Sequence, residues 1–277
     1  MKNNIVAIMY DFDKTLCTKD MQEYTFIPKL GMEASEFWGE VNKIRNKNGM
    51  DGVLAYMYLM LKKANELNTP IKESDLEKMG KDIELYPGVV NWFKRINDYG
   101  KELGLKVEHY IISSGLNEII KGSEISKYFE KIYASEFLYE NGHAVWPKSA
   151  INYTNKTQFI YRINKGILDI CDDDNLNKKM AEEDRRVSKS NMIYIGDGLT
   201  DVPSMITIKD NGGVSIAVYT DKTKKLAKSL LDDERIDYIA EANYNENKDI
   251  DKIIKRVLKM MALKISLKED NLTIKNS

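Results

Sequence analysis

Four aspartates stand in two pairs, and each pair follows an apolar stretch of the sequence. The pairs are Asp11 with Asp13 and Asp197 with Asp201. In open α/β sheets, ligands bind outside the carboxyl ends of the strands, so carboxylates at two strand ends would share one site. Such a cluster can hold a cation that prefers oxygen ligands, or can transfer protons. Turn formation and helix capping are the structural alternatives for each aspartate taken alone.

Two hydroxyl groups and a lysine occur where an anion could bind. Ser113, Ser114 and Gly115 end another apolar stretch and precede a helical pattern, and the N–H groups at a helix N-terminus suit anions. Lys156 falls at or near the start of the helical pattern from Gln158 to Asn164, where the helix dipole mildly disfavours a cation. An ordinary turn and a solvated lysine remain the structural alternatives.

Four short apolar runs predict strands that are buried on both faces of a sheet. They are Ile5 to Tyr10, Val107 to Ile112, Asn191 to Ile195 and Gly213 to Val218. Helical patterns separate them, including Val89 to Tyr99, Leu116 to Lys121, Asp201 to Lys209 and Asp221 to Leu231. This alternation predicts an α/β fold with a doubly wound, Rossmann-like parallel sheet. The aspartate pairs and the serines directly follow three of the predicted strands.

One segment has no strand-like run and predicts a separate helical unit. Residues 18–86 contain helix-period stretches such as Glu33 to Asn46 and Asp51 to Asn68. We therefore expect a small helical domain inserted after the first strand. The α/β catalytic core is then discontinuous in sequence, formed by residues 1–17 and 87–265.

Three other segments carry weaker signals. Asn141 and Gly142 lie between apolar residues in the stretch from Phe137 to Trp146, which predicts a β-hairpin. Residues 168–191 are rich in aspartate and lysine and predict a solvated surface excursion. Residues 266–277 form a polar C-terminal tail, which we expect to be loosely held.

Composition excludes several classes of protein. The 277 residues include 42 Lys and Arg against 43 Asp and Glu, a formal net charge of -1, so no bulk field attracts nucleic acid or an anionic membrane. Two cysteines cannot build a disulfide framework, and two histidines cannot form a site of several imidazoles. Apolar runs fall short of the roughly 20 residues of a membrane span. We expect a cytoplasmic protein, and the oligomeric state stays open.

Four short motifs, taken in order, resemble those of the haloacid dehalogenase superfamily of phosphotransferases. They are DFDKTL at 11–16, ISSG at 112–115, Lys156 and GDGLTD at 196–201. The helical insertion after the first motif resembles the cap domain of the branch that includes phosphoserine phosphatase. The resemblance implies phosphate chemistry with Mg²⁺, because its dehalogenase members lack the acid at Asp13.

The resemblance also implies a role for each motif residue. Asp11 is the expected nucleophile, which forms an aspartyl-phosphate, and Asp13 the general acid and base. Ser113, the N–H of Ser114 and Lys156 are expected to bind the phosphoryl group. The expected Mg²⁺ ligands are Asp11, the backbone carbonyl of Asp13, Asp197 and Asp201.

Substrate recognition is the least constrained part of the sequence. Phosphoserine phosphatases carry an acidic residue after the first motif, where Asp20 stands here, and a cap arginine, whereas Leu54 to Met60 contains none. Arg45 lies one element earlier, and Tyr56 either contacts substrate or packs in the core. We therefore predict a Mg²⁺-dependent phosphomonoester hydrolase that acts on a small phosphorylated metabolite other than phosphoserine. The alternatives are a phosphotransferase or mutase of the same superfamily, or a non-catalytic module that binds a phospholigand.

Overall fold

The computed structural model describes residues 4–276 and is built on a seven-stranded sheet in the order β4-β3-β2-β1-β5-β6-β7. Its strands are β1 (Ile5–Tyr10), β2 (Lys106–Leu116), β3 (Phe129–Glu140), β4 (His143–Ser149), β5 (Met192–Gly196), β6 (Val214–Tyr219) and β7 (Tyr238–Glu241). All neighbours pair in parallel except β3 and β4, which are antiparallel. The predicted α/β class and Rossmann-like sheet are confirmed, with one antiparallel edge strand.

Eleven α-helices are assigned among the described residues. They are α1 (Phe26–Lys29), α2 (Ala34–Asn48), α3 (Gly52–Glu66), α4 (Glu73–Met79), α5 (Val89–Glu102), α6 (Asn117–Gly122), α7 (Lys156–Lys165), α8 (Asp173–Asn177), α9 (Val202–Asp210), α10 (Lys224–Asp232) and α11 (Asp249–Asn276). Residues 18–86, called the helical insertion below, carry α1 to α4 and no strand of the sheet. Within residues 4–276, no helix combines the length and apolar character that crossing a membrane requires.

The central strand shows why an unbroken apolar run folds as a buried strand. Successive side chains of a strand point to opposite faces. In β1, Val6 and Ile8 pack into one hydrophobic cluster, whereas Ala7 and Met9 pack into another, and all four are fully buried. The strand therefore lies between two layers of helices, and its end, with those of β2 and β5, forms the edge where the motifs meet.

The hairpin and the charged segment can be compared with their predictions. Asn141 and Gly142 both have positive φ angles, of 50° and 78°, and connect β3 to β4 as predicted. Most residues from 169 to 184 are exposed, as predicted for a surface excursion, and a buried side chain outside the segment anchors its start. Arg162 is only 1% exposed and donates hydrogen bonds to the carbonyls of Asp169 and Ile170, because its guanidinium satisfies backbone groups that the irregular loop leaves unpaired.

The C-terminal residues continue a helix. α11 begins at Asp249 and extends to Asn276, so the polar segment predicted to be a loosely held tail from residue 266 is helical as far as Asn276. Its sequence contains several good helix formers, including leucine and lysine. Ser277 lies outside the described residues.

Candidate active site

Three carboxylates meet at the ends of β1 and β5. Asp11 directly follows β1 and is 6% exposed, and its N–H donates to the carbonyl of Ile195 at 2.9 Å, which joins the two strand ends. Asp197 directly follows β5, and Asp201 directly precedes α9. One oxygen from each of Asp11, Asp197 and Asp201 can be chosen so that all three lie within 4.8 Å of one another. The sequence-predicted carboxylates therefore share one site.

Lys156 connects two of these carboxylates. It is the first residue of α7 and is fully buried, and its Nζ lies 3.0 Å from Asp11 Oδ1 and 2.8 Å from Asp201 Oδ1. Burial lowers the pKa of its ammonium group, but the carboxylates of Asp11 and Asp201 outweigh burial and raise that pKa above its ordinary value. Lys156 is therefore a buried positive charge held in one position, and the alternative of a solvated lysine is wrong.

Asp201 is held by one oxygen and leaves the other unpaired. The hydroxyl of Tyr194 donates to Oδ1 at 2.8 Å, the same atom that Lys156 contacts. Oδ2 is buried and has no hydrogen-bond partner among the described residues. The side chain also makes no capping hydrogen bond to α9, so the alternative of helix capping does not describe it. Lys156 and Tyr194 therefore fix the orientation of the Asp201 carboxylate and leave Oδ2 available to a ligand.

Gly196 makes room for that carboxylate. A Cβ atom at Gly196 would lie 2.4 Å from Asp201 Oδ2, whereas a Cβ at Gly198 would meet nothing within 4 Å. The first glycine of the motif is therefore required by the close approach of a side chain of its own loop. The second has no such neighbour.

The charges of the cluster do not balance without a cation. Burial raises the pKa of Asp11 to about 6, against the opposing effect of Lys156. Burial, together with Asp201 and Asp11, raises the pKa of Asp197 to about 8. Three carboxylates share the ammonium of Lys156, and Lys14, which also lowers the pKa of Asp197, is already paired with Asp20. Three oxygen donors and an unpaired Asp201 Oδ2 form a donor set that fits a hard cation such as Mg²⁺.

Asp13 stands apart from this cluster, and its environment favours its protonated form. Its Oδ1 accepts a hydrogen bond from the N–H of Met21 at 2.9 Å. Burial first, and then the charges of Asp20 and Asp11, raise the pKa of the Asp13 carboxyl well above its ordinary value. The Asp13 side chain is not one of the three grouped carboxylates, which agrees with the expectation that only its backbone carbonyl would face a metal. A protonated carboxyl can donate a proton to a leaving group.

The serine motif lies at the end of β2, beside Asp13. Ser113 is fully buried, and its Oγ accepts from the N–H of Gly115 at 3.0 Å. A Cβ at Gly115 would lie 2.9 Å from Asp13 Oδ2, so this loop packs directly against the acid. α6 begins only at Asn117 and has six residues, so the serine hydroxyl and loop N–H groups, and not a long helix, are the donors available to an anion.

A cavity of about 430 Å³ opens onto Asp13 and Ser114 between the helical insertion and the core. We call it the insertion–core cavity, and its sixteen lining residues are Asp13, Asp20, Gln22, Trp38, Arg45, Gly49, Met50, Asp51, Gly52, Val53, Tyr56, Ser114, Gly115, Asn152, Tyr153 and Thr200. The three residues predicted to select substrate all line it. Asp20 is not free there, because its Oδ2 forms an ion pair with Lys14 Nζ at 2.5 Å. Arg45 is exposed and has no ion-pair partner among the described residues.

Two hydrogen bonds span this cavity from the insertion to the core. The hydroxyl of Tyr56, on α3, donates to the carbonyl of Ser114 at 2.7 Å. Asn152 Nδ2 donates to Asp51 Oδ2 at 3.0 Å. Asp51 also accepts the N–H groups of Val53 and Leu54 through Oδ1, and so caps α3. Tyr56 is 5% exposed, so it packs in the core, and it also contacts Ser114, which lies beside Asp13.

Several cavity residues were not singled out from the sequence. Among them are Gln22, Trp38, Asp51 and Asn152. A signal existed for one of them, since Trp38 and Arg45 are seven residues apart on α2 and therefore lie on one face of that helix. Asn152 carries no comparable signal, because its partner Asp51 is 101 residues away in the chain.

Comparisons with known proteins agree with the fold that carries this site. The family model described as Putative Phosphatase matches residues 6–216. An uncharacterized protein of Borreliella burgdorferi is 28% identical, over 88% of this chain and 93% of its own. A hydrolase of the HAD family from Salmonella enterica serovar Typhi has a TM-score of 0.58 at 16% identity, covering 87% of this chain and 68% of that one. A substrate-bound phosphoserine phosphatase has a TM-score of 0.57 at 16% identity, covering 91% and 97%.

Proposed function

The chain belongs to the putative phosphatase family, and we propose that it is a Mg²⁺-dependent phosphomonoesterase that works through an aspartyl-phosphate. Its fold supports a place in the haloacid dehalogenase superfamily, in the branch resembling phosphoserine phosphatase. One observation carries the proposal. Buried Lys156 holds Asp11 and Asp201 within a group of three carboxylates, and the charge of Asp11 acts on the nearby acid Asp13.

In the proposed reaction, Asp11 and Asp13 divide the chemistry between them. A carboxylate oxygen of Asp11 attacks phosphorus, the bond from phosphorus to the ester oxygen breaks, and Asp13 donates its proton to the departing alkoxide. Asp13 then accepts a proton from water, whose oxygen attacks phosphorus, and the bond to Asp11 breaks to release inorganic phosphate. The raised pKa of Asp13 supports this role, because the acid must be protonated when the alcohol leaves.

Positive charge and hydrogen-bond donors must surround the phosphoryl group. We assign this to Lys156, to the Ser113 hydroxyl and to the N–H of Ser114, since an anionic nucleophile otherwise repels an anionic substrate. When bound, Mg²⁺ supplies further neutralisation, held by Asp11, Asp197, Asp201 and the backbone carbonyl of Asp13. The unpaired Asp201 Oδ2 supports this assignment.

The helical insertion is proposed to act as a cap over a small phosphorylated metabolite. The insertion–core cavity, at about 430 Å³, has room for a compact organic group. Asp20, Arg45 and Tyr56 line it and remain our candidates for substrate selection. The ion pair of Asp20 with Lys14 opposes its use as the partner of a substrate ammonium group, which supports a substrate other than phosphoserine. A cytoplasmic location stays a proposal that rests on the scarcity of cysteine.

Hydrolysis of p-nitrophenyl phosphate, followed with and without Mg²⁺, tests the proposal. We expect chelation to abolish turnover and Asp11→Asn to reduce kcat by on the order of a thousandfold or more, because it removes the nucleophile. Asp98→Asn is the matched control, since Asp98 is an exposed aspartate of α5 paired with Lys94. Metal-independent turnover, or full activity in Asp11→Asn, refutes the proposal.

Two further readouts separate the alternatives. A phosphotransferase or mutase would pass the phosphoryl group to an added alcohol or sugar phosphate, so less than one inorganic phosphate would appear per substrate consumed. A non-catalytic module would release none. Beryllium fluoride, which mimics an aspartyl-phosphate, should bind the wild type and not Asp11→Asn, and an absence of binding would favour the non-catalytic module.

A further inference from the structure

Gln22 is a buried glutamine with an unsatisfied acceptor beside the site. It is 2% exposed, and its Oε1 has no hydrogen-bond partner among the described residues. Of the described residues with such an unpaired buried atom, it alone lines the insertion–core cavity. Buried polar groups are nearly always paired, and an unpaired one in a ligand cavity is explained when the ligand supplies the partner.

The position of Gln22 relates it to the leaving group. It follows Met21 in a short 3-10 turn, and the N–H of Met21 donates to Asp13 Oδ1 at 2.9 Å. Asp13 is the proposed donor of the proton to the ester oxygen. A group that binds Gln22 must therefore lie on the organic part of the substrate, close to the ester.

The other cavity residues indicate what that group is. Asp20 is paired with Lys14, and Asp51 is occupied by the N-terminus of α3 and by Asn152, so both carboxylates already have partners. A neutral donor therefore fits better than an ammonium group. Trp38 offers an apolar wall, because its Nε1 is engaged by Glu23 Oε1 at 2.8 Å.

We propose that Gln22 determines specificity by accepting a hydrogen bond from a hydroxyl group of the leaving alcohol, next to the phosphoester. The substrate class is then a compact phosphomonoester of a hydroxyl-bearing alcohol. This inference rests on the proposed phosphomonoesterase activity and deepens it.

The test compares kcat/KM for ethyl phosphate, 2-hydroxyethyl phosphate and 2-aminoethyl phosphate. The first two differ by one hydroxyl, so their ratio cancels any change in the amount of folded enzyme. We expect the wild type to prefer 2-hydroxyethyl phosphate by at least about tenfold, since a site built to bind a hydroxyl rejects the analogue that lacks it. Gln22→Met keeps the length of the side chain and removes the amide, and its ratio should fall to about one.

Matched variants decide the remaining outcomes. Gln158→Met changes the other glutamine of the chain, outside the cavity, and should keep the wild-type ratio. A wild-type ratio near one, or an equal ratio in Gln22→Met, overturns the inference while leaving the phosphatase activity established. A wild-type preference for 2-aminoethyl phosphate over 2-hydroxyethyl phosphate overturns the neutral donor. If no ester is hydrolysed, p-nitrophenyl phosphate included, the proposed function fails and the inference fails with it.

Discussion

The Gly196→Ala substitution probes how tightly Asp201 is held. The added Cβ would lie 2.4 Å from Asp201 Oδ2, 2.5 Å from Cγ and 2.8 Å from Cβ. To reach an ordinary contact of 3.4 Å, the carboxylate oxygen must move by about 1 Å. Rotation of the side chain alone is insufficient, because its Cβ also clashes, so the backbone of the loop must shift.

The size of the effect follows from the bonds that this shift disturbs. Lys156 Nζ and the Tyr194 hydroxyl each lie 2.8 Å from Asp201 Oδ1, and a displacement of this size breaks or bends both bonds. Overpacking of this kind costs about 1–3 kcal/mol of unfolding free energy. Disturbing the groups that orient a metal ligand typically weakens metal affinity about 10–100-fold.

Two measurements check this prediction. The Mg²⁺ concentration that gives half-maximal hydrolysis of p-nitrophenyl phosphate should rise about 10–100-fold, and thermal unfolding without metal should occur at lower temperature. Gly198→Ala is the control, because its Cβ would meet nothing within 4 Å, and its unfolding free energy should change by less than about 0.5 kcal/mol. Equal Mg²⁺ dependence in Gly196→Ala and the wild type would show that Asp201 does not need its observed position.

Two further predictions concern the same cluster. Tyr194→Phe removes one hydrogen-bond donor from Asp201 and should weaken Mg²⁺ binding, measured by calorimetry, about tenfold. The control is Tyr110→Phe, which removes a buried hydroxyl bonded to Glu108 and should leave Mg²⁺ affinity unchanged. Equal Mg²⁺ affinities in Tyr194→Phe and the wild type would refute the role of Tyr194 in positioning Asp201. The raised pKa values of Asp11 and Asp197, about 6 and about 8, mean that the folded chain holds more protons than the unfolded chain above the ordinary value of 3.8. Metal-free stability should therefore fall as pH rises from about 4 to 8, and the gain in Tm on adding Mg²⁺ should grow; a gain that is constant across this range would contradict the charge imbalance.

Local patterns were sufficient to predict the framework of the site. The run from Ile5 to Tyr10 could be recognised because both faces of β1 are buried, and the position of Asp11 then followed from the strand end. Asp201 and Lys156 could be placed at helix starts because helical patterns begin there in the sequence. What could not be predicted was that one oxygen of Asp201 accepts from both Lys156 and Tyr194 while the other stays unpaired. That arrangement depends on three elements packing together.

The folding of irregular segments accounts for the remaining differences. Arg162 reads in the sequence as one more charged residue, yet it is buried because it binds the loop that follows α7. Gln22 reads as a polar residue of the helical insertion, yet it is 2% exposed and lines the same cavity as Asp13. In both cases the burial depends on how an irregular segment folds, which residue type and periodicity do not report.

The bond between Asp51 and Asn152 joins two helix beginnings. Asp51 caps α3 with Oδ1, and Asn152 Oδ1 accepts the N–H groups of Thr154 and Asn155 in the turn that leads into α7 and Lys156. Only the spare atoms, Asp51 Oδ2 and Asn152 Nδ2, meet each other. The contact can therefore break and re-form without unwinding either helix, at a net cost of about 0.5–1.5 kcal/mol. An insertion that swings away to admit substrate would leave α3 and the lysine-bearing helix intact, ready to rejoin in the same register.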